Sequence, residues 1–219
     1  MEHRTWNGFI KSDELRAMGG TGGTEMAVRR ASPADGPALT AVLARAFDDD
    51  PLMTWMFPRP DGRQERLQSL FGALLRPALA VDEVYTTDDV RGVAFWNPPG
   101  TFPLGWWTNA RMGLTMARLL GARLGRCASG LMYFDRHHPR DPHWYLQMLG
   151  TDPDWQGKGV GSALLGGVLE RCDRDGARVY LEASKEQNVP FYARHGFVVT
   201  EEMVVPRGPT MWAMWRDPR

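Results

Sequence analysis

Apolar residues recur with helical spacing in the first part of the chain. The segment Ser32-Pro33-Ala34-Asp35 has the hydroxyl cap, the proline and the carboxylate that typically begin a helix. The apolar residues that follow fall on one helical face, namely Leu39, Val42, Leu43, Ala46 and Phe47. The pattern predicts a helix that ends in the loop Asp48-Asp49-Asp50-Pro51, because the residue before a proline disfavours helical backbone.

A second helix and a hairpin are predicted next. The helix runs from about Arg63 to Leu75, and the hairpin joins strands at 83–87 and 92–96. Residues 101–140 favour helix, interrupted by Gly121 and Gly125. This part of the chain either packs as core or covers a pocket.

Strands and helices alternate in the second half of the chain. Residues 143–151 carry apolar side chains on both faces of a strand, which predicts a central position in a sheet. Simple alternation assigns these side chains to two faces, one with Tyr145, Gln147 and Leu149 and the other with Trp144, Leu146 and Met148. Helices at about 159–173 and 188–195, with strands at 177–182, 197–205 and 210–215, complete a mixed α/β sheet.

Charge and composition exclude several classes of protein. The 26 basic and 26 acidic residues cancel, whereas nucleic-acid binding and polybasic membrane anchoring need an excess of Lys and Arg. Apolar runs stay well below the roughly 20 residues of a membrane span. Cys127 and Cys172 form neither a disulfide framework nor a zinc site, so we expect buried thiols, no metal and a cytoplasmic location.

The first 25 residues differ from the rest of the chain. They are mostly polar and end in a Gly/Thr run that is typical of a linker. We therefore predict a flexible N-terminal extension at 1–25 and one domain at 26–219.

A glycine-rich turn lies between the central strand and the helix after it. Gly157, Gly159 and Gly161 occupy alternate positions where that helix begins, and the first backbone N–H groups of a helix have no partners within it. Such a turn typically binds a phosphate group, although it also suits close packing of helix on strand. The spacing matches neither the P-loop, because Lys158 stands between the glycines, nor the G-x-G-x-x-G dinucleotide motif.

Two motifs in this half of the chain resemble those of the GNAT acetyltransferases. Gln156, Gly159 and Gly161 match the pattern Q/R-x-x-G-x-G/A, and residues 188–197 (NVPFYARHGF) are similar to the second signature of that superfamily. The chain from Met26 to its end looks like puromycin N-acetyltransferase and its actinobacterial relatives, densely from Pro142 onward and faintly over 101–135. The resemblance implies an α/β GNAT fold, with a mixed, mostly antiparallel sheet of about seven strands flanked by helices.

The resemblance also implies acetyl-CoA as the co-substrate. Backbone groups at the end of the central strand would contact the pantetheine arm and the thioester, and the glycine turn would hold the pyrophosphate. The residues predicted to bind acetyl-CoA are Leu149, Gly150, Thr151, Gln156, Gly157, Lys158, Gly159, Val160, Gly161, Ser162, Asn188 and Phe191.

Two residues are predicted to be catalytic. Tyr192 is our candidate general acid, because a phenol stays protonated at neutral pH and can pass its proton to a leaving thiolate. The alternative is a tyrosine that only packs in the core. Glu182, at the end of its strand, is the leading general base, unless it is a surface carboxylate. His137 and His138 are the reserve candidates for that base.

The acceptor is expected near the first interhelical loop. Asp49 and Asp50 in that loop are predicted to bind a cationic amine, unless they form only a solvated helix end. We expect direct acetyl transfer to the primary amine of a small molecule, by a monomer or a homodimer. An aminonucleoside or another antibiotic-like amine, and thus antibiotic resistance, is the narrower hypothesis. Two alternatives stay open: a protein or peptide N-acetyltransferase, and a non-catalytic acyl-CoA-binding sensor.

Overall fold

A computed structural model describes residues 26–80, 83–101 and 106–219 of the chain. The extension predicted at 1–25 lies outside these ranges, so the division of the chain at residue 26 stays a prediction. The described strands are β1 (Val28–Arg30), β2 (Val84–Thr87), β3 (Gly92–Asn97), β4 (Trp144–Thr151), β5 (Val179–Ala183), β6 (Val198–Val204) and β7 (Thr210–Arg216). The helices are α1 (Gly36–Ala46), α2 (Pro51–Met56), α3 (Arg63–Ala78), α4 (Trp106–Leu120), α5 (Leu124–His137), α6 (Val160–Asp175) and α7 (Val189–Arg194).

The strands form one sheet in the order β1-β2-β3-β4-β5-β7-β6. Neighbouring strands run antiparallel except β4 and β5, which are parallel and are joined through α6. The predicted α/β fold, with a mostly antiparallel sheet of seven strands flanked by helices, is confirmed. The parallel pair is short, because its register covers only Trp144–Leu146 of β4 against Val179–Leu181 of β5. Beyond that point the two strands separate.

A β-bulge in β4 changes which side chains face which core. Phe95 of β3 pairs with Met148, but the next residue, Trp96, pairs with Leu146, so Gln147 is an extra residue in β4. Leu146 and Leu149 consequently pack in the same core, whereas Met148 packs in the core on the opposite face. The simple alternation predicted for residues 144–149 is therefore wrong after Leu146.

Helices cover both faces of the sheet. On one face α1 and α3 enclose a core with side chains such as Leu43, Leu67 and Phe95. On the other face α6 packs through Leu164 and Val168. A third cluster joins β5, β6 and β7 to partly buried residues of α2 and α5. The sheet is thus buried on both sides around β4, as its apolar sequence predicts.

The N-terminal helices follow the predicted signals, with one addition. The Ser32 backbone N–H donates to the Asp35 carboxylate at 2.7 Å, as the capping box predicts, and the Ser32 hydroxyl donates to the same carboxylate at 2.8 Å. The loop after α1 also begins a helix that the sequence analysis did not identify. Asp50 caps this helix, α2, by accepting hydrogen bonds from the backbone N–H groups of Leu52 and Met53 at 2.9 and 3.1 Å.

The helical region after residue 105 differs from its prediction in one detail. A short 3₁₀ turn at Gly121–Arg123 separates α4 from α5, as expected at Gly121, but α5 continues through Gly125. Among the described residues, no helix combines the length and apolar character of a membrane span.

Candidate active site

A groove of about 500 Å³ opens where β4 and β5 separate. Its wall is formed by the end of α1, the last part of β4, the start of α6, the end of β5 and one side of α7. The wall includes most of the residues predicted to act in the site, namely Asp50, Leu149, Gly150, Thr151, Gln156, Gly157, Gly159, Val160, Gly161, Ser162, Glu182, Asn188, Phe191 and Tyr192. The structure therefore brings together residues that are up to 142 positions apart in the chain, as between Asp50 and Tyr192.

The last residues of β4 contribute an open strand edge. Leu149, Gly150 and Thr151 remain paired with β3 on one side. On the other side the register with β5 has ended at Leu146, so this edge borders the groove. Free backbone groups along a strand edge form hydrogen bonds with an extended ligand that lies beside them.

The glycine turn places the N-terminus of α6 at the same groove. Gly159 caps the helix with a φ of 85°, and Gly157 has a φ of 72°, a region that L side chains rarely adopt. The first backbone bond of the helix joins Ala163 N–H to the Gly159 carbonyl at 3.0 Å. The N–H groups of the preceding turn are thus available to an anion, which the helix dipole also favours.

Lys158 takes no part in the groove wall among the described residues. Its ammonium donates to the Asp154 carbonyl at 2.9 Å and lies 4.6 Å from the ring centre of Trp155. Its side chain is therefore engaged outside the groove, and its predicted contact with acetyl-CoA, as part of the turn, stays a prediction.

Tyr192 lies in α7 with only 8% of its surface exposed. Its ring packs against Phe191 and Phe197, with centroid separations of 5.2 and 5.9 Å. Burial raises the pKa of the Tyr192 hydroxyl above its usual value, and the negative charge of Asp50 raises it further. The phenol is therefore protonated throughout the neutral range.

Glu182 projects from β5 onto the groove wall and is held by neighbouring side chains. Its carboxylate accepts a hydrogen bond from the Tyr145 hydroxyl at 2.7 Å, and His138 Nδ1 lies 3.5 Å from its other oxygen. Burial and the Glu182 charge raise the pKa of Tyr145 well above its usual value, so this donor stays protonated. His137, in contrast, is exposed and makes its contact with the Tyr133 carbonyl, so the histidine beside Glu182 is His138.

The two aspartates predicted to bind the acceptor are placed differently. Asp50 is 2% exposed, lines the groove and accepts a hydrogen bond from the Ser184 hydroxyl. Burial raises the pKa of the Asp50 carboxyl, against the opposing effect of that hydrogen bond. Asp49 is largely exposed, pairs with Lys185 and is not part of the groove wall among the described residues.

Ser184 is a residue of this site that sequence reasoning missed. It follows β5 directly, and no local pattern distinguishes it from other serines in loops. Its partner Asp50 is 134 residues away in the chain, so only the folded structure reveals the pair.

The two cysteines are buried and free of disulfides. Burial raises the pKa of the Cys172 thiol to about 12 and also raises that of Cys127. Because the thiolate is the nucleophilic form, neither cysteine is suited to carry an acyl group. Within the described ranges, no group of three metal-ligating side chains is present.

Comparison with known proteins finds matches to acetyltransferases. Residues 122–216 match the acetyltransferase (GNAT) domain family. An uncharacterized N-acetyltransferase of Schizosaccharomyces pombe is 27% identical over 197 residues, which are 83% of this chain and 78% of that protein.

Solved structures agree with the sequence matches. A crystal structure described as histone acetyltransferase HPA2 and related acetyltransferase, from Corynebacterium glutamicum, is 29% identical with a TM-score of 0.67, covering 88% of this chain and 96% of its own. The PaiA N-acetyltransferase of Thermoplasma acidophilum, solved with coenzyme A, has the same fold at 12% identity and a TM-score of 0.55, covering 87% and 97%.

The fold, the open strand edge and these matches define an acyltransferase. More specifically, the match over residues 122–216 and the similarity to N-acetyltransferases support the GNAT superfamily.

Proposed function

We propose that this protein transfers the acetyl group of acetyl-CoA directly to the primary amine of a small molecule. The observation that carries the proposal is the meeting of two features in one groove: the open edge of β4 and the N-terminus of α6. Together they suit a ligand that has an amide-containing arm and a phosphate group, as coenzyme A has. A thioester bound there would supply an activated acetyl group.

In this proposal, different residues of the groove bind different parts of acetyl-CoA. Backbone groups of Leu149, Gly150 and Thr151 would lie along the pantetheine arm and stabilise the oxyanion, as fixed donors do in other acyl transfers. The turn from Gln156 to Ser162 would bind the pyrophosphate through backbone N–H groups. Asn188 and Phe191 line the remaining side of the groove and would contact the arm.

Tyr192 and Glu182 have complementary roles in the proposed reaction. Glu182 would attract the ammonium form of the acceptor and remove its proton, because an amine must be neutral to attack a carbonyl. Tyr192 would protonate the leaving thiolate, a role that a buried and neutral phenol can fill. Asp50, which lines the same groove, would add negative charge for a cationic acceptor.

The narrower parts of the proposal concern acceptor and location. The groove wall carries two carboxylates, Asp50 and Glu182, and two cations, Lys185 and Arg194. Lys185 is paired with Asp49, so we propose that the carboxylates favour a cationic acceptor. We include aminonucleosides and other antibiotic-like amines in this class. We also propose a cytoplasmic location, because the two free thiols suit a reducing compartment.

The test is thiol release from acetyl-CoA across a panel of amines. The panel contains puromycin, polyamines, aminoglycosides and short peptides, and Tyr192→Phe is the control variant. Release with a small amine, strongly reduced in the variant, supports the proposal. Release with peptides alone would indicate a protein acetyltransferase, and binding of coenzyme A without release from any amine would indicate a sensor. Acetylation of other small amines but not of puromycin would reject the aminonucleoside hypothesis and leave the rest of the proposal unaffected.

A further inference from the structure

Acetylation of a primary ammonium ion removes two protons from nitrogen, since the –NH₃⁺ group becomes an –NH– amide. Glu182, the proposed base, accounts for the first of these protons. The second becomes acidic only as the C–N bond forms, and it needs an acceptor at the reacting nitrogen. The described groove contains a second buried carboxylate, Asp50, that the roles given above do not use for proton transfer.

The two oxygens of Asp50 have separate partners. Oδ1 accepts the backbone N–H groups of Leu52 and Met53, which fixes the start of α2. Oδ2 accepts the hydroxyl proton of Ser184. Because that hydroxyl already donates to Asp50, its oxygen lone pairs remain able to accept a proton from a molecule in the groove.

Position supports this arrangement. Ser184 lies two residues after Glu182, and both line the groove. Asp50 also lies close enough to Tyr192 for its charge to raise the pKa of the Tyr192 hydroxyl. The carboxylate is therefore linked to Ser184 by a hydrogen bond and to Tyr192 by its charge, within one groove.

We propose that Ser184 and Asp50 form a proton relay that takes up the second proton of the acceptor amine. This inference rests on the proposed function. As the C–N bond forms and the C–S bond breaks, the amine proton moves to Ser184 Oγ and the Ser184 hydroxyl proton moves to Asp50 Oδ2. The leaving thiolate takes the Tyr192 proton. Return of a proton from Asp50 to Tyr192, directly or through water, restores both groups, and Glu182 releases the first proton to solvent.

Conservative variants separate this relay from a structural role. Ser184→Ala removes the hydroxyl, while Ser184→Thr retains one. Asp50→Asn keeps an oxygen to cap α2, because asparagine is as good a cap as aspartate, but it cannot take up the proton. Glu186→Gln is the matched control, since it removes an exposed carboxylate two residues from Ser184 that is not in the described groove wall.

The kinetic test measures kcat by thiol release with an amine that the wild-type protein acetylates. Ser184→Ala and Asp50→Asn should each lower kcat by about 100-fold, within the range of general-base catalysis. The double variant should be no more than about twofold below either single variant, because residues acting as a unit are not additive. Ser184→Thr should recover most of the activity, and coenzyme A affinity and Glu186→Gln activity should match wild type.

A second readout needs no turnover. The Ser184 hydrogen bond lowers the pKa of the Asp50 carboxyl, so carboxyl-carbon NMR titration of the free protein should show this pKa rising in Ser184→Ala. Wild-type kcat in Ser184→Ala, or multiplied losses in the double variant, would overturn the relay and leave the proposed function intact. Wild-type protein that releases no thiol with any amine would overturn the proposed function and the relay together.

Discussion

Replacement of Tyr192 by phenylalanine removes one oxygen atom and keeps the aromatic packing of α7. The ring contacts with Phe191 and Phe197 do not involve the hydroxyl, and the side chain is 8% exposed. We therefore expect the free energy of unfolding to change by no more than about 1 kcal/mol, the usual net value of one hydroxyl interaction.

The effect on catalysis should be much larger than the effect on stability. Loss of a general acid typically costs 100-fold to 10,000-fold in rate, so we expect kcat for Tyr192→Phe to fall by about 100-fold or more. The assay is thiol release under saturating acetyl-CoA, together with denaturant unfolding of both proteins. Coenzyme A affinity should stay near that of the wild type, since the proposed pyrophosphate contacts come from the turn before α6.

The pH dependence of the wild-type enzyme tests the same assignment. Because burial and the Asp50 charge raise the pKa of Tyr192, this acid remains protonated well above pH 8 and should produce no loss of kcat there. A Tyr192→Phe variant with at least half the wild-type kcat and normal stability would refute the role of Tyr192 as the acid.

Three further predictions test the turn, the base and the buried phenols. Gly159→Ala should weaken coenzyme A binding and destabilise the protein by about 1–2 kcal/mol, because φ is positive at Gly159. The control Gly166→Ala, within α6, should have neither effect. Calorimetry measures the binding and denaturant unfolding measures the stability. Glu182→Gln should lower kcat/KM for amines by about 100-fold. The loss should be greatest at low pH, where the acceptor is an ammonium ion that needs a base, and an equal loss at all pH values would contradict the role of Glu182 as the base. Burial raises the folded-state pKa of four tyrosines, Tyr85, Tyr145, Tyr180 and Tyr192. The folded protein therefore favours their neutral form, and the free energy of unfolding should fall as the pH rises above about 10. Absorbance at alkaline pH should show that these phenols ionise only when the protein unfolds.

Local signals in the sequence predict most of the fold. The capping box at Ser32, the hairpin turn and the glycine turn before α6 depend on residues within a few positions of one another, and the structure has an element boundary at each. Asp50-Pro51 is also a local signal for a helix start, in addition to the end of the helix before it that the proline predicts.

Features that depend on pairing between distant segments were not predictable in this way. Alternation along a strand assumes continuous pairing, and the extra residue at Gln147 arises from the register with β3, so the sequence of β4 alone does not reveal it. The Asp50–Ser184 contact likewise requires the fold to bring α2 and β5 together.

The β4 bulge has a consequence for how this groove can change in evolution. Gln147 lies where the parallel pairing ends, so the opening between β4 and β5 is set by backbone length and register as well as by side chains. Substitutions along the wall can alter what binds without closing the groove. Deletion of Gln147 would remove the bulge and make the pairing with β3 regular, while Leu146, Met148 and Leu149 would still face the cores they face now. Side-chain substitution and a change in strand length are therefore two separate routes by which this groove can change, and only the second alters its backbone.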